Sequence, residues 1–178
     1  MNNIFINYSL FILFLPLVAF VILIFTGKRL PRQGDWVAVS AVLFTLVLSS
    51  AMFVAMLLDY NPDFSQQSGF TWMDLGAFKI EFGILVDNIT IIMLLVVALI
   101  SSCSHIFSLK YMEGDVRYSR YYAYLSLFTF SMNGIVLANN LISMYMSWEL
   151  VGLSSYLLIA HWFEKDSAAD AGKKAFLT

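Results

Sequence analysis

The stretch WVAVSAVLFTLVLSSAMFVAMLL, which runs from Trp36 to Leu58, contains no charged residue. A membrane hydrocarbon layer about 30 Å thick is crossed by about 20 helical residues, so this stretch predicts a transmembrane helix. Four further stretches have few charges and a similar length: Ile4 to Phe25, Asn88 to Leu109, Tyr121 to Ala138 and Leu141 to Trp162. We therefore predict an all-α polytopic membrane protein with five transmembrane helices and the beginning of a sixth.

The composition of the whole chain agrees with this fold class. Of its 178 residues, 60% are hydrophobic and 12% are charged, whereas about 25% of the residues of an average soluble domain are charged. The formal net charge of -2 gives no basic field that would hold nucleic acid, so we exclude nucleic-acid binding. The single cysteine and the two histidines, His105 and His161, lack a metal-binding spacing and predict no metal site.

Basic residues are concentrated in alternate loops between the predicted spans. Nine of the ten Lys and Arg residues follow spans one, three and five: Lys28, Arg29, Arg32, Lys110, Arg117, Arg120, Lys165, Lys173 and Lys174. Cytoplasmic loops of membrane proteins carry an excess of Lys and Arg. We therefore predict that these loops are cytoplasmic, and that the N-terminus and the segment containing Lys79 are outside.

The segment between spans two and three, about residues 59–85, is long enough to fold outside the membrane. Phe78, Ile80 and Phe82 alternate with charged residues, and this period of two is typical of a β-strand. We predict a short β-hairpin around Thr71 to Phe82.

Three local features concern the helices. Pro16 lies inside span one and frees a backbone carbonyl, so we expect a kink there and a neighbouring residue or water that satisfies the carbonyl. Asn139 and Asn140 alone join spans four and five, which predicts that these spans are antiparallel neighbours. Asp87 stands where span three begins, either as a helix N-cap or as an ion entrance.

Glu149 lies eight residues into the fifth span, roughly 12 Å from the outer surface and near mid-membrane. An acidic residue at the centre of a transmembrane helix costs around 3 kcal/mol on insertion scales, so it should face protein or water and have a partner. Tyr145 and Tyr156 offer hydroxyls nearby, and Gly152 allows another backbone to approach. Glu149 is therefore a candidate for proton transfer on a transmembrane pathway; the alternative is a structural carboxylate bonded between helices.

Two other groups are candidates for a proton relay. His105 lies about five residues from the cytoplasmic end of span three, where a histidine either passes a proton or hydrogen-bonds a neighbouring helix. Lys173 and Lys174 follow the fifth span, and they either anchor the chain at the interface or mark the entrance of a proton channel lined by a further helix. His161, beside Trp162, is expected to have an ordinary interfacial role.

Several segments together resemble a known family. These segments are YMEGD at 111–115, YSRYYAYL at 118–125, VLANNL at 136–141 and WELVGLSSYLLI at 148–159. They are similar to the antiporter-like L subunit of respiratory complex I, the NADH-quinone oxidoreductase, and to the related large subunit of multisubunit sodium/proton antiporters. The resemblance covers the chain from about Val86 to its end. Leu150 stands where glycine is common and Ser154 where cysteine is common, and neither change removes a titratable group.

The resemblance implies a proton-translocating membrane subunit of NADH:quinone oxidoreductase, which couples quinone reduction to proton transport. In this family the Trp-Glu pair of the fifth helix supplies a buried glutamate that pairs with a lysine of a later helix, and Glu149 occupies that position. NADH, FMN, iron-sulfur clusters and quinone are expected on other subunits, with no cofactor or redox centre on this chain. The implied partners are other membrane subunits of complex I and the lipid of a bacterial inner (plasma) membrane.

Two alternatives remain open for the function. One is the large subunit of a multisubunit sodium/proton antiporter, and the other is a membrane scaffold that moves no ions. The chain ends at Thr178, shortly after residues that look like the opening of a further helix. We therefore expect residues 1–178 to be the N-terminal part of a single antiporter-like transmembrane domain, truncated before the partner lysine.

Overall fold

The computed structural model describes residues 4–74 and 79–177. These residues form six α-helices, one two-stranded antiparallel sheet and two short 3-10 turns. The helices are α1 (Ile4–Thr26), α2 (Asp35–Leu58), α3 (Asn88–Tyr111), α4 (Tyr118–Leu137), α5 (Leu141–Ile159) and α6 (Asp166–Leu177), and the strands are β1 (Ser65–Asp74) and β2 (Lys79–Asp87). Each of the five predicted spans coincides with a helix, and α6 begins shortly after the fifth.

The first four helices form a bundle. α1 packs against α2 and α4, α2 packs against α3, and α3 packs against α4. α5 packs against α4 on the outside of this bundle, and α6 packs on α5. The predicted antiparallel pairing of the fourth and fifth helices is therefore confirmed, and the pair joins the bundle to an outer layer.

Four segments among the described residues are long and apolar enough to cross a membrane: Ile4–Arg29, Pro31–Leu58, Asn88–Tyr111 and Leu141–Ile159. α4, which we predicted as the fourth of five spans, is not among them. It carries buried hydroxyl and amide side chains along its length: Ser119, Ser126, Thr129, Ser131 and Asn133. α4 contacts α1, α3 and α5, so these polar side chains face protein, and the helix lacks the apolar character of a lipid-exposed span.

The sheet confirms the predicted hairpin but not its predicted extent. β1 and β2 pair from Ser65 with Asp87 to Asp74 with Lys79, beyond the interval from Thr71 to Phe82. β1 is exposed along nearly its whole length, so it lacks the alternation of buried and exposed positions that marks a strand in a sequence. Phe78, one residue of the alternating pattern, lies outside the described residues.

The hairpin lies at one end of the bundle. Ile84 of β2 forms a bridge with Ala138 in the connection between α4 and α5. In the same connection, the Asn140 side chain donates a hydrogen bond of 2.5 Å to the carbonyl oxygen of Glu81. We call this end the hairpin end. The opposite end, where the α1–α2 and α3–α4 loops lie, is called the basic end.

Two polar contacts confirm local predictions. The Asp87 carboxylate accepts a hydrogen bond of 2.7 Å from the backbone N–H of Thr90, so Asp87 is the N-cap of α3. Pro16 has no N–H and leaves the carbonyl of Ile12 without its helical partner. The amide Nδ2 of Asn133 donates to this carbonyl at 3.1 Å. The neighbour that Pro16 requires is therefore a side chain of α4.

The core of the bundle has two apolar clusters with polar residues between them. The cluster near the hairpin end consists of Ile12, Met52, Met56, Val86, Ile91, Leu94 and Leu137. The cluster near the basic end consists of Leu23, Ala38, Tyr122 and Ala123. Between these clusters lie buried polar residues that we call the polar layer: Thr45, Ser49, Ser102, His105, Ser126, Thr129 and Asn133. The bundle therefore encloses polar groups in the middle of its length.

Candidate functional site

α5 approaches α4 through small side chains. Ser143 and Ser154 are the buried residues of α5, and Ser154 Oγ lies 3.5 Å from Ser131 Oγ of α4. Gly134 of α4 lies against Ser147, since a Cβ added to Gly134 would be 2.8 Å from Ser147 Oγ. Small residues let helices approach closely in a membrane. This contact determines which face of α5 meets the bundle.

Glu149 lies on a part of α5 that this contact leaves uncovered. It is near the middle of the 19-residue helix. Its side chain is exposed, as are those of Tyr145 and Trp148. The Tyr145 hydroxyl, one turn earlier, interacts with the Glu149 carboxylate. Nothing among the described residues lies within 4 Å of a Cβ added to Gly152. We call the surface formed by Tyr145, Trp148, Glu149 and Gly152 the open face of α5.

The resemblance implies a buried glutamate at this position, and the described residues alone do not cover Glu149. The part of the chain that the structure describes leaves the carboxylate on its surface, because α4 packs against other residues of α5. Of the two tyrosines expected near it, Tyr145 interacts with the carboxylate, whereas Tyr156 packs against Phe176 of α6 with 5.5 Å between ring centroids. A carboxylate in the middle of an apolar helix is costly to expose to lipid, so the open face needs protein or water against it.

His105 is fully buried in the polar layer. Its Nδ1 lies 2.8 Å from the carbonyl oxygen of Ser101, and because a carbonyl only accepts, Nδ1 is the donor. Its Nε2 has no hydrogen-bond partner among the described residues. His105 is linked to α4 through its backbone, because the Tyr122 hydroxyl donates a hydrogen bond of 3.0 Å to the carbonyl oxygen of His105. The imidazole is therefore bonded within its own helix and is not the bridge between helices considered from the sequence.

Lys173 and Lys174 lie on α6, and both are exposed. Lys173 pairs with Asp170, one turn earlier, at 3.3 Å. Glu149, His105 and Lys174 lie in three different environments: the open face of α5, the interior of the bundle and the surface of α6. The structure does not assemble these three candidates into one site.

A cluster of polar residues at the basic end was missed by the sequence analysis. Asp115 accepts hydrogen bonds from Trp162 Nε1 at 2.7 Å and from the backbone N–H of Arg117 at 2.6 Å. His161 Nε2 lies 3.4 Å from the same carboxylate, and Arg117 pairs with Glu164 at 2.5 Å. We call these five residues the clasp. The clasp joins the α3–α4 loop to the segment that follows α5.

The clasp is held by an anionic carboxylate. Burial alone would raise the pKa of Asp115, but hydrogen bonds from Trp162, the Arg117 backbone and His161 lower the pKa below its usual value. His161, for which we expect an ordinary interfacial role, is buried, and its ring packs edge-on against Tyr121 with 5.5 Å between centroids. Asp115 and His161 are 46 residues apart, so no local pattern in the sequence pairs them.

The groups that the fold brings together are suited to water and protons. The described residues, 4–74 and 79–177, contain no group of three His, Cys, Asp or Glu side chains placed to hold a metal ion. The polar layer instead collects hydroxyls, one imidazole and one amide, and the open face presents one carboxylate. These side chains donate and accept hydrogen bonds, and the imidazole and the carboxylate among them are titratable groups.

Two family models match the chain. The model described as NADH-Ubiquinone oxidoreductase (complex I), chain 5 N-terminus, matches residues 72–122. The model described as NADH:quinone oxidoreductase/Mrp antiporter, TM, matches residues 138–178, which include Glu149. Together they match more than half of the chain.

Curated relatives agree with the family models. F(420)H(2) dehydrogenase subunit L of Methanosarcina mazei is 40% identical over 172 residues, which is 97% of this chain and 25% of that protein. NADH-quinone oxidoreductase subunit L of Mycobacterium tuberculosis is 36% identical over 172 residues, which is 96% of this chain and 27% of that protein. The chain therefore spans about a quarter of the length of these relatives.

The fold is also found in a solved membrane complex. A chain of the membrane-bound sulfane sulfur reductase, an archaeal respiratory membrane complex, superimposes with a TM-score of 0.76 over 95% of this chain and 33% of that chain, at 18% sequence identity. The apolar helices and the family models define a multi-pass membrane protein. The chain belongs to the family of antiporter-like subunits that includes subunit L and chain 5 of NADH-quinone oxidoreductase. The resemblance drawn from the sequence segments is confirmed.

Proposed function

We propose that this chain is a proton-translocating membrane subunit of an NADH:quinone oxidoreductase and that Glu149 exchanges the proton. The observation that carries the proposal is the open face of α5, where a carboxylate stands near the middle of an apolar helix. Ionisable residues at such positions are rare and generally functional because they are costly to insert. Family membership supports the same function.

The proposed mechanism is electrostatic. A helix outside the described residues covers the open face and brings a cation close to Glu149. In a low-dielectric environment, a lysine that moves toward or away from a carboxylate changes the affinity of that carboxylate for a proton. Quinone reduction elsewhere in the complex moves the cation, and Glu149 takes up or releases a proton in response. His105 and Lys174 are the further relay candidates.

In the proposed membrane arrangement, α1 to α5 form five crossings and α6 begins a sixth. α4 crosses inside the protein, enclosed by α1, α3 and α5. The basic end lies in the cytoplasm, and the N-terminus and the hairpin lie outside a bacterial inner membrane, following the distribution of Lys and Arg. Residues 1–178 then form the N-terminal part of a single antiporter-like domain.

The proposed partners are the other membrane subunits of the complex and the surrounding lipid. NADH, FMN, iron-sulfur clusters and quinone are bound by other subunits, and this chain contributes to the enzyme by moving protons. Relatives that are subunits of quinone oxidoreductases support the partnership with other subunits of a complex.

A second candidate function is the large subunit of a sodium/proton antiporter. One matching family model is described for both NADH:quinone oxidoreductase and the Mrp antiporter, which favours this alternative over other transporters. The Methanosarcina mazei relative is a subunit of an F(420)H(2) dehydrogenase, so more than one electron donor should be tested. If Glu149 proves dispensable for ion transport, that result would favour a third function, a membrane scaffold that moves no ions.

The test is Glu149→Gln in the full-length protein, assembled in its complex and reconstituted in vesicles. Glutamine keeps the shape and most hydrogen bonding of the side chain but exchanges no proton, so proton translocation should fall while the complex still assembles. Glu149→Asp keeps the acid with one methylene fewer and should retain part of the activity. Proton uptake, followed with a pH-sensitive dye, and quinone reduction are measured on the same vesicles.

Glu113→Gln is the matched control, because Glu113 is an exposed carboxylate that pairs with Lys110 at the basic end. Glu113→Gln also replaces a carboxylate with an amide, but at a position away from the open face. If the Glu149→Gln variant translocates protons normally, the carboxylate has a structural role only, and the proposal is refuted. Proton flux that requires sodium and proceeds without an electron donor would instead support the antiporter.

A further inference from the structure

A cavity of about 410 Å³ opens at the hairpin end, between the beginning of α1, the end of α2 and the beginning of α3. Binding sites for small molecules have volumes of about 300 to 1,000 Å³. The part of the cavity nearer the middle of the bundle is apolar, with Phe5, Ala51, Met52, Ala55 and Ile91 in its wall. Its mouth is polar and includes Asp59, Gln66 and Asn88, which we call the rim. The cavity therefore fits a molecule with an apolar body and a polar head.

Two carbonyl oxygens of the rim are buried without a hydrogen-bond partner among the described residues: Gln66 Oε1 and Asn88 Oδ1. Asn88 Nδ2 donates to the backbone carbonyl of Asn61 at 2.9 Å, and this bond fixes which end of the Asn88 amide is left over. Buried polar atoms are nearly always paired with protein, water or a ligand. Both oxygens only accept hydrogen bonds, so the missing partner is a donor.

The charge of the rim narrows the choice of donor. Asp59 contributes a carboxylate, and the described residues that line the cavity include no Lys, Arg or His. An anionic head group would therefore meet a negative charge and no cation. A primary ammonium is positively charged and has three N–H donors, so it matches one carboxylate and two unpaired carbonyl oxygens.

The position of the cavity along the helices indicates where such a molecule comes from. α1, α2 and α3 are long and apolar enough to cross a membrane. α2 ends at Leu58, so the rim lies where the helices leave the hydrocarbon. Ala51 lies eight residues before Asp59, which is roughly 12 Å deeper along a helix. Tyr8 also lines the cavity, and tyrosine is enriched at the level of the lipid head groups.

We propose that this cavity binds an aminophospholipid, a lipid whose head group ends in a primary ammonium, such as phosphatidylethanolamine. The ammonium donates to Gln66 Oε1 and Asn88 Oδ1 and lies beside the Asp59 carboxylate. The first part of one acyl chain lies against Ala51 and Ala55, and the phosphate remains in water outside the rim. Lipid binding does not depend on the proposed function, since the site lies at the hairpin end and involves neither Glu149 nor its open face.

The rim predicts which lipids are rejected. Phosphatidylcholine has the same net charge as phosphatidylethanolamine, but its quaternary ammonium has no N–H and leaves both carbonyl oxygens unpaired. Phosphatidylglycerol has hydroxyl donors but a net negative charge that Asp59 repels. Both lipids fill the apolar part of the cavity equally well. A preference for phosphatidylethanolamine over both is therefore the signature of the rim, whereas any lipid that surrounds the protein contacts the apolar part.

The test uses the full-length protein in its complex, reconstituted in vesicles that contain a photoreactive lipid. The probes are phosphatidylethanolamine and phosphatidylcholine with the same diazirine-bearing acyl chain, and mass spectrometry locates the crosslinks. We expect the phosphatidylethanolamine probe to label residues 51–56 of α2 about tenfold more than the phosphatidylcholine probe, because hydrogen bonds to a charged group are lost. Equal labelling by the two probes would overturn the proposal. Absence of labelling by both would mean that protein or water fills the cavity and would also overturn it.

Variants of the rim assign the preference to its side chains. Gln66→Met keeps the length of the side chain and removes the acceptor, so labelling by the phosphatidylethanolamine probe should fall about tenfold. Gln67→Met is the matched control, because Gln67 is the next residue of β1, is exposed and lies outside the cavity lining. Asp59→Lys should reverse the charge preference, so that unlabelled phosphatidylglycerol competes with the probe.

A second pair of variants keeps the test decisive if Gln66→Met prevents assembly. Ala55→Phe fills the cavity from α2 without changing the rim and should remove the labelling. Val54→Phe is its control, because Val54 is exposed on the same turn of α2 and does not line the cavity. Labelling that is unchanged in Gln66→Met or in Ala55→Phe would overturn the proposal. Glu149→Gln should be labelled like the wild type, whatever its effect on proton translocation.

Discussion

The polar layer and the open face of α5 lie at a similar depth on neighbouring helices, yet the polar layer is enclosed by the bundle and the open face is exposed. Asn133 is enclosed by the bundle, and its amide satisfies the Ile12 carbonyl at 3.1 Å. Glu149 is exposed, and its interaction within the described residues is with Tyr145 of its own helix. The first region is a folded interior, and the second is a surface.

This difference indicates how the protein divides its polar groups. Neutral hydroxyl and amide groups are enclosed by α1–α4, where helix carbonyls satisfy most of them at little cost. The carboxylate, which would be far more costly to bury alone, stands where another helix is able to reach it. The bundle therefore holds α5 in place and leaves its one acidic group exposed.

The largest expected effect comes from substituting valine for Gly134, at the enclosed α4–α5 contact, and for Gly152, on the open face of α5. Gly134→Val places atoms against Ser147, where even a Cβ would be 2.8 Å from Oγ, and should destabilise the α4–α5 contact by up to about 3 kcal/mol. Gly152→Val meets nothing within 4 Å of its Cβ among the described residues. If a helix covers the open face, Gly152→Val should cost a similar amount. Thermal unfolding of the assembled complex measures both.

The smaller substitution Gly152→Ala is the control for helix propensity, which alanine improves. If the complex with Gly152→Val is as stable as the complex with Gly152→Ala, no helix packs closely on the open face. Equal losses in Gly134→Val and Gly152→Val would mean that α5 is covered on both sides in the complex.

The second prediction concerns the enclosed side. Asn133→Leu removes the donor to the Ile12 carbonyl and should destabilise the protein by about 2 kcal/mol, the cost of an unsatisfied buried acceptor. Pro16→Ala restores an N–H that is able to bond this carbonyl within α1, so Asn133→Leu should cost less in that background. Thermal unfolding of the wild type, both single variants and the double variant gives the coupling. Additive effects would contradict the assignment of Asn133 as the partner that Pro16 requires.

Much of the architecture was predictable because its signals are local. The helical spans follow from apolar length, the α3 cap from Asp87, and the need for a partner in α1 from Pro16. The identity of that partner, Asn133, was not predictable, because it is set by how α1 and α4 pack. The same reason explains the polar layer, which arises only when several helices turn their hydroxyl faces toward one another.

The candidate site was predicted in part. The position of Glu149 in the middle of α5 followed from counting residues. Its direction did not, because that depends on the close contact of Gly134 with Ser147. The clasp depends on Asp115 and His161, which are distant in sequence and meet only after α3, α4 and α5 have packed.

The third prediction tests whether the clasp holds α5 in position. The lowered pKa of Asp115 means that its stabilising effect is present above the usual value of 3.8 and is lost as the pH falls through the lowered value. Asp115→Asn should cost about 1 kcal/mol at neutral pH, because the charge-assisted bonds from Trp162 and His161 weaken. In thermal unfolding, its deficit should shrink below about pH 4, where the wild-type Asp115 takes up a proton. A deficit that does not shrink as the pH falls below about 4 would contradict an anionic Asp115.

The smallest expected effect is at the surface pair of Lys110 and Glu113, which lies outside both regions of the comparison. The two side chains approach to 2.5 Å, and both are largely exposed to solvent. Water and salt screen such a pair, and holding two flexible side chains together costs conformational entropy. Glu113→Gln should therefore change neither thermal unfolding nor proton translocation measurably. A clear loss of translocation would place an acidic group of the basic end in the proton path, and Glu149 would no longer be distinguished by its place on the open face.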